Sequence, residues 1–181
     1  MNVYISILRG INVGGNNQIK MDALRQMYTT LGFTDILSYI QSGNVIFRAE
    51  ESNIKSLERM IANKIIETFG CKVPVLVLTI GELKEALINN PFLADETKDM
   101  AFMHLTFLSE IPDKMLYHKI QHETYLPDEF GFSNKIIYLY CPTGYGKTKL
   151  TNTFFENKLK VTATTRNLKT STELLVLAEK L

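Results

Sequence analysis

Two kinds of hydrophobic spacing alternate along this chain, and they do so in the same order twice. In the first half, short runs rich in β-branched residues stand at positions 3–8, 36–40, 45–47 and 73–78. Between them, Met21, Leu24, Tyr28 and Leu31 recur at helical intervals, as do Ile54, Leu57, Ile61, Ile65 and Phe69. A short β-branched run belongs to a strand and a repeat near 3.6 residues to a helix. The half therefore reads strand-helix-strand-strand-helix-strand, the split β-α-β order of ferredoxin-like folds.

Local signals place the ends of these elements. Gly32 stops the first helix, and Gln41-Ser42-Gly43-Asn44 has the composition of a tight turn between strands. Ser52 is the expected N-cap of the second helix, with Gly70 just past its end. Pro74 marks the fourth strand as an edge strand. Thr79 and Glu82 have capping-box spacing and open a third helix through about Asn89.

The second half repeats the order more loosely. Strands are expected at 101–108, 123–126, 136–141 and 161–164. Pro112 opens a helix carrying Met115, Leu116 and Ile120, and Leu150, Phe154 and Leu159 mark another. Thr170 and Glu173 again have capping-box spacing before a closing helix. The acidic segment 91–100 is the natural boundary. The expected architecture is α+β: two ferredoxin-like (α/β-plait) halves, residues 1–92 and 100–181, with antiparallel sheets backed by helices. Leu8, Leu24, Ile46, Ile61 and Phe107 are expected in the cores.

Composition narrows the setting. Of 181 residues, 45% are hydrophobic and 22% charged, enough apolar surface for two small cores. The net charge of +1 sets up no global field toward nucleic acid or membrane. No apolar stretch reaches the roughly 18 residues of a membrane span, and residues 1–10, interrupted by Arg9, read as a strand rather than a signal peptide. Cys71 and Cys141 lack CxxC spacing, so neither zinc nor a disulfide framework is indicated, and a reducing cytoplasm is the expected compartment. Charge is uneven all the same. Between 135 and 170 stand Lys135, Lys147, Lys149, Lys158, Lys160, Arg166 and Lys169 against Glu156 alone. A solvated face accounts for such a block, and so does a surface for an anionic ligand.

Several motifs invite specific chemistry and fail its tests. Cys141-Pro-Thr-Gly-Tyr-Gly-Lys-Thr148 follows a strand and ends like a phosphate-binding loop, but cysteine occupies the position where that pattern needs its first glycine. What survives is a loop whose Gly144 and Gly146 permit close backbone approach, with Lys147, Thr148 and Lys149 suited to an anion at a helix start. Arg9-Gly-Ile-Asn-Val-Gly-Gly15 lacks GxGxxG spacing on a topology that is not Rossmann. Arg9 and Asn12 there suit a carboxylate or phosphate, and Gly10 and Gly14 permit turns. Ser42 has no nucleophile elbow, and the histidines form no evident triad. His118 and His122 lie four apart, but no third ligand makes them a metal site. Ser42-Gly43-Asn44-Val45-Ile46-Phe47 lacks the paired aromatics of an RNA-recognition sheet. No metal and no cofactor are expected.

Topology gathers the remaining loops. In a 4-1-3-2 antiparallel sheet the end of strand one lies beside the start of strand three, which brings residues 9–15 and 41–44 to one rim. In the second half, residues 144–149 and 164–167 leave one rim about 10 Å apart, two strand spacings.

The same residues carry a family resemblance. Arg9-Gly-Ile-Asn-Val-Gly, Tyr39-Ile-Gln-Ser-Gly-Asn-Val45, Gly144-Tyr-Gly-Lys-Thr-Lys-Leu150 and Ala163-Thr-Thr-Arg-Asn167 resemble the signatures of the bacterial family called domain of unknown function 1697. Leu168 stands where that family often has tryptophan, and Lys147-Thr148 where it often has arginine-serine. The family has no established activity, so the resemblance implies a fold and points to these loops. The resulting expectation is a ligand that carries phosphate or another anion, either nucleic acid or a phosphate-bearing small molecule. Arg9, Gly10, Asn12, Gly14, Gln41, Ser42, Asn44, Gly144, Gly146, Lys147, Thr148, Lys149, Arg166 and Asn167 would contact it. The alternatives are a small-molecule enzyme using Ser42, Asn44 and Asn167, and a protein-interaction module without chemistry.

Overall fold

A computed structural model describes every residue except Asn16 and His122. The first half contains β1 (Asn2–Leu8), α1 (Met21–Thr30), β2 (Thr34–Tyr39), β3 (Asn44–Ala49), α2 (Ile54–Phe69), β4 (Val75–Thr79) and α3 (Ile80–Ile88). The second contains β5 (Met103–Leu108), α4 (Lys114–Gln121), β6 (Glu129–Ser133), β7 (Ile136–Tyr140), α5 (Asn152–Leu159), β8 (Ala163–Asn167) and α6 (Leu168–Ala178). The fold is α+β with two four-stranded antiparallel sheets, ordered β2-β3-β1-β4 and β6-β7-β5-β8. Among the described residues no helix is long and apolar enough to cross a membrane.

The chain divides into two compact units, Met1–Lys84 with Glu173–Leu181, and Glu85–Thr172. The division therefore falls at Lys84 rather than between 92 and 100, and the end of the chain belongs to the first unit. Contacts within that unit explain its membership: Lys84 pairs with Glu179 at 3.3 Å, and Arg48 donates to the carbonyl of Leu181. The acidic segment 91–100, expected as a linker, is packed instead. Its 3-10 turns at Pro91–Ala94 and Met100–Phe102 are capped by Asn90 and Asp99. Lys98 pairs with Glu129 and sits 4.5 Å from the Tyr140 ring centre, fastening the segment to β6 and β7.

In the first unit, Tyr4, Ser6 and Leu8 share a face of β1 with Phe47, Val45, Val77 and Val75 across the ladder. Leu24, Met27 and Tyr28 of α1 and Leu57, Ile61 and Ile65 of α2 close over it. Ser6 is a polar residue in this apolar layer. It bonds the Tyr28 hydroxyl at 2.8 Å and donates to the Val45 carbonyl, so its burial leaves no unmet group. In the second unit, Leu108, Ile137, Leu139 and Ala163 face Ile120 of α4 and Phe155 and Leu159 of α5. All five residues expected in the cores, Leu8, Leu24, Ile46, Ile61 and Phe107, are buried.

Four local expectations need correction. The strand expected at 123–126 lies at Glu129–Ser133, with only an isolated bridge between Tyr125 and Asp128 upstream. Its apolar residues are Phe130 and Phe132 around Gly131, too sparse a pattern to read from the sequence. The N-cap of α2 is Asn53, not Ser52. The helix expected near Thr148 begins at Asn152, with Thr151 accepting the Phe154 N–H. Thr148 is turned inward, its hydroxyl accepting the Leu150 N–H at 3.0 Å. Finally, α6 starts at Leu168 directly after β8, and Asn167 rather than Thr170 supplies the cap, accepting the Thr170 N–H at 2.7 Å.

Candidate functional site

The rim of the first unit is a tightly closed pair of loops. The Leu8 N–H reaches the Gly43 carbonyl at 2.8 Å, and Ile7 pairs with Asn44, so the end of β1 does lie beside the start of β3. Asn12, at φ +55°, donates to the carbonyls of Ile19 and Gln41, both at 2.9 Å, while its side-chain oxygen takes the Ile19 N–H. Buried Asn44 donates to Tyr39 and Ser42. Asn12 thus ties its loop to the turn at Gln41, and Asn44 fastens that turn from within. Gly43 is required by contact, since a Cβ there would stand 2.6 Å from the Leu8 Cβ. Arg9 and Gly10 continue from β1, and Gly14 turns the exposed loop with φ +59°.

The second rim is built differently. Met103 pairs with Tyr140 and His104 with Asn167, so the segments after β7 and at the end of β8 flank the start of β5. Residues directly opposite in an antiparallel ladder share a face. His104, Thr106, Thr165 and Asn167 therefore line the face that also carries α4 and α5. Arg166 alternates to the other face. It belongs to the strand itself rather than to a loop, and its guanidinium donates to the Thr165 carbonyl at 2.8 Å. Burial pulls its pKa down to about 10, with the Tyr145 hydroxyl acting in the opposite sense, so it remains charged at neutral pH.

The loop after β7 folds back over this face. Gly144, at φ +96°, redirects the chain into a 3-10 turn, Tyr145–Lys147, and the Tyr145 ring stacks on His104 at 4.9 Å and 24°. Thr165 donates to the side-chain oxygen of Asn152 at 2.7 Å, which leaves Thr106 to donate to Thr165. Side-chain donors are left over. Among the described residues the amide NH₂ groups of Asn152 and Asn167 have no hydrogen-bond acceptor, and exposed Lys147 and Lys149 make no ion pair. Gly146 is exposed between them.

Two other features stand apart from this rim. A surface concavity of about 490 Å³ lies at the start of α2, lined by Glu51, Asn53, Lys55, Ser56 and Arg59. Cys141 is fully buried, and its thiol is pushed up to about 11, first by burial and then by the Asp128 carboxylate, which excludes it as a nucleophile. His122 lies outside the described residues, and among the described ones no cluster of three His, Cys, Asp or Glu side chains could hold a metal.

The profile of a family described as protein of unknown function, DUF1697, matches residues 1–138. The chain belongs to the DUF1697 family. No curated protein gave a match. Among solved structures, the chain is similar to conserved bacterial protein SP0830 from Streptococcus pneumoniae, at 25% identity and a TM-score of 0.75, over 97% of this chain and 98% of that one. The DUF1697 match takes in the Arg9 and Gln41 loops and stops short of the Gly144 and Arg166 segments, whereas the structural likeness runs through both units. His104, Tyr145 and Asn152 were not legible as site residues in the sequence. No motif links them, and only the β5 register and the return of the β7 loop bring them together.

Proposed function

We propose that this DUF1697 protein binds a phosphate-bearing or other anionic ligand at the rim of its second unit, with each half read as ferredoxin-like and the cytoplasm as its compartment. The observation that carries the reading is the surplus of donors there: among the described residues Lys147 and Lys149 make no ion pair and the amides of Asn152 and Asn167 have no acceptor. The nearest acid in sequence, Glu156, accepts the Ala163 N–H at 3.1 Å. An anion supplies acceptors that water otherwise provides, and charge-assisted bonds to it are the stronger kind. Gly144 and Gly146 keep the loop free of side chains that would bar the approach.

Titration of inorganic phosphate into the wild-type protein and Lys147→Ala, followed by calorimetry, tests this. The substitution is expected to cost about 1.5–3 kcal/mol of affinity, the range for hydrogen bonds to charged groups, with no change in melting temperature because the side chain is exposed. Equal affinity in both proteins would remove Lys147 from the site. Weakening with salt would separate a ligand held by exposed lysines from one enclosed by the fold.

A further inference from the structure

His104 borders the second-unit anion site just proposed, on which its role here rests. Its Nδ1 lies 3.1 Å from the Phe102 carbonyl. A carbonyl only accepts, so Nδ1 carries the proton and the neutral ring keeps an unshared lone pair on Nε2. Burial lowers the His104 pKa below its ordinary 6.5, with the Phe102 carbonyl only partly opposing, so the ring is neutral at pH 7. Among the described residues Nε2 has no hydrogen-bond partner, and Tyr145 covers one face of the ring. A single step along the same face of the ladder, about 7 Å, leads to Thr165 and the Asn152 amide bound to it.

The ladder and the loop after β7 place neutral groups beside the imidazole, and the Asp128 carboxylate acts on Cys141, whose N–H shares the Phe102 carbonyl. β7 places Leu139 opposite His104, β8 places Asn167, and the loop after β7 brings Tyr145, whose 3-10 turn ends at Lys147. Arg166 follows on the other face of β8. Among the described residues, burial and the Phe102 carbonyl are what shift the His104 titration. The rim therefore offers several donors and one acceptor. A phosphodiester has only acceptor oxygens near neutrality, and one of them would have to face the Nε2 lone pair. A phosphate monoester, with a second pKa of about 6, has an oxygen that holds a proton in that range.

We propose that the second-unit rim binds a phosphate monoester, with one proton shared between Nε2 of His104 and a phosphate oxygen while Lys147 and the Asn152 amide hold the other oxygens. The proton balance is simple. A monoanion brings the proton with it, and a dianion is bound with uptake of one proton from solvent onto Nε2. In either case the complex holds one proton more than the separate dianion and neutral imidazole. Above about pH 7, where the dianion dominates, affinity must then fall about tenfold per pH unit.

The test titrates inorganic phosphate, ribose 5-phosphate and dimethyl phosphate into the wild-type protein and His104→Gln from about pH 6 to about pH 9, spanning the phosphate pKa. The two monoester-type ligands are expected to bind wild type with that pH slope, and His104→Gln to flatten it. Dimethyl phosphate is expected to bind at least about tenfold more weakly, the loss of one good hydrogen bond. Tighter binding of ribose 5-phosphate than of inorganic phosphate identifies an organic ester as the ligand, and equal binding identifies the free ion. An NMR titration of the His104 ring in the wild-type protein needs no variant, and saturating phosphate should raise its pKa by a unit or more. Equal pH slopes in the two proteins, an unmoved His104 titration, or dimethyl phosphate bound as tightly as the monoesters would overturn the proposal while leaving an anion site in place. Binding of none of the three at any pH would remove the anion site itself.

Discussion

Gly43 and Ile40 stand three residues apart in the turn between β2 and β3 and show opposite uses of a left-handed backbone. Gly43 has φ +75°, and an added Cβ would meet the Leu8 Cβ at 2.6 Å and Ile11 Cδ1 at 2.9 Å. Backbone strain and overpacking act together there, so Gly43→Ala is expected to cost about 2–4 kcal/mol in urea unfolding. A loss below about 1 kcal/mol would mean the turn can relax away from β1. Ile40 has φ +49° although it is β-branched, and its side chain is 51% exposed. Asparagine tolerates this conformation, so Ile40→Asn is expected to stabilise the protein by about 1 kcal/mol, and an unchanged unfolding midpoint would refute the strain. Both glycine and turn were legible in Gln41-Ser42-Gly43-Asn44. The inward role of Asn44 was not, because a buried asparagine that fastens a turn has the same letter as an exposed one that binds a ligand.

At the scale of elements, the helices with long apolar stripes were the most legible and their caps the least. The stripe Leu57, Ile61 and Ile65 is wholly buried, and Gly70 ends α2 at φ +68° as its position implied. Ser52 and Asn53 are adjacent, however, and both are good caps. The choice falls to Asn53, whose side chain accepts the Ser56 N–H at 3.0 Å. Asn53→Ala is therefore expected to cost about 1 kcal/mol, and Ser52→Ala to leave the thermal midpoint unchanged. The reverse ranking would restore Ser52 as the cap. The Thr79–Glu82 pair forms as its spacing suggests, with the Glu82 carboxylate on the Thr79 N–H at 2.9 Å and the Thr79 hydroxyl on the Glu82 N–H at 3.1 Å. The equally spaced Thr170 and Glu173 form no such start, because β8 runs directly into α6 and Asn167 reaches the cap position first.

For the whole molecule the testable quantity is stability against pH. The folded pKa of His104 lies below 6.5, so as pH falls the unfolded chain takes up its proton first. Stability is expected to fall as pH drops below about 6.5, until the folded group also titrates, with no contribution from His104 above that. Asp95 and Glu123 act lower down. Hydrogen bonds from Thr97 and Tyr125 respectively hold them below their ordinary 3.8 and 4.5, so they add stability that is lost only as pH falls through that lower range. Urea midpoints for the wild-type protein and His104→Gln across both windows separate the two. The variant is expected to lose the upper step and keep the lower one, and an upper step that persists in it would assign that step to another group.

Hydrophobic periodicity marked most of the elements, five core residues and the two strands that open the sheets, since spacing of apolar residues is a property of the local chain. It also put the end of β1 beside the start of β3, because a 4-1-3-2 antiparallel order leaves few ways to arrange strand ends. Tertiary structure decided everything that depends on which side a residue faces. Strand alternation put Arg166 on the face of β8 opposite to Thr165 and Asn167, and inward rotation took Thr148 out of the helix start. The β5 register set His104 beside Asn167. That Nε2 of His104 has no partner among the described residues could not be read from any motif, because it follows from a carbonyl two residues away and a ring from another loop.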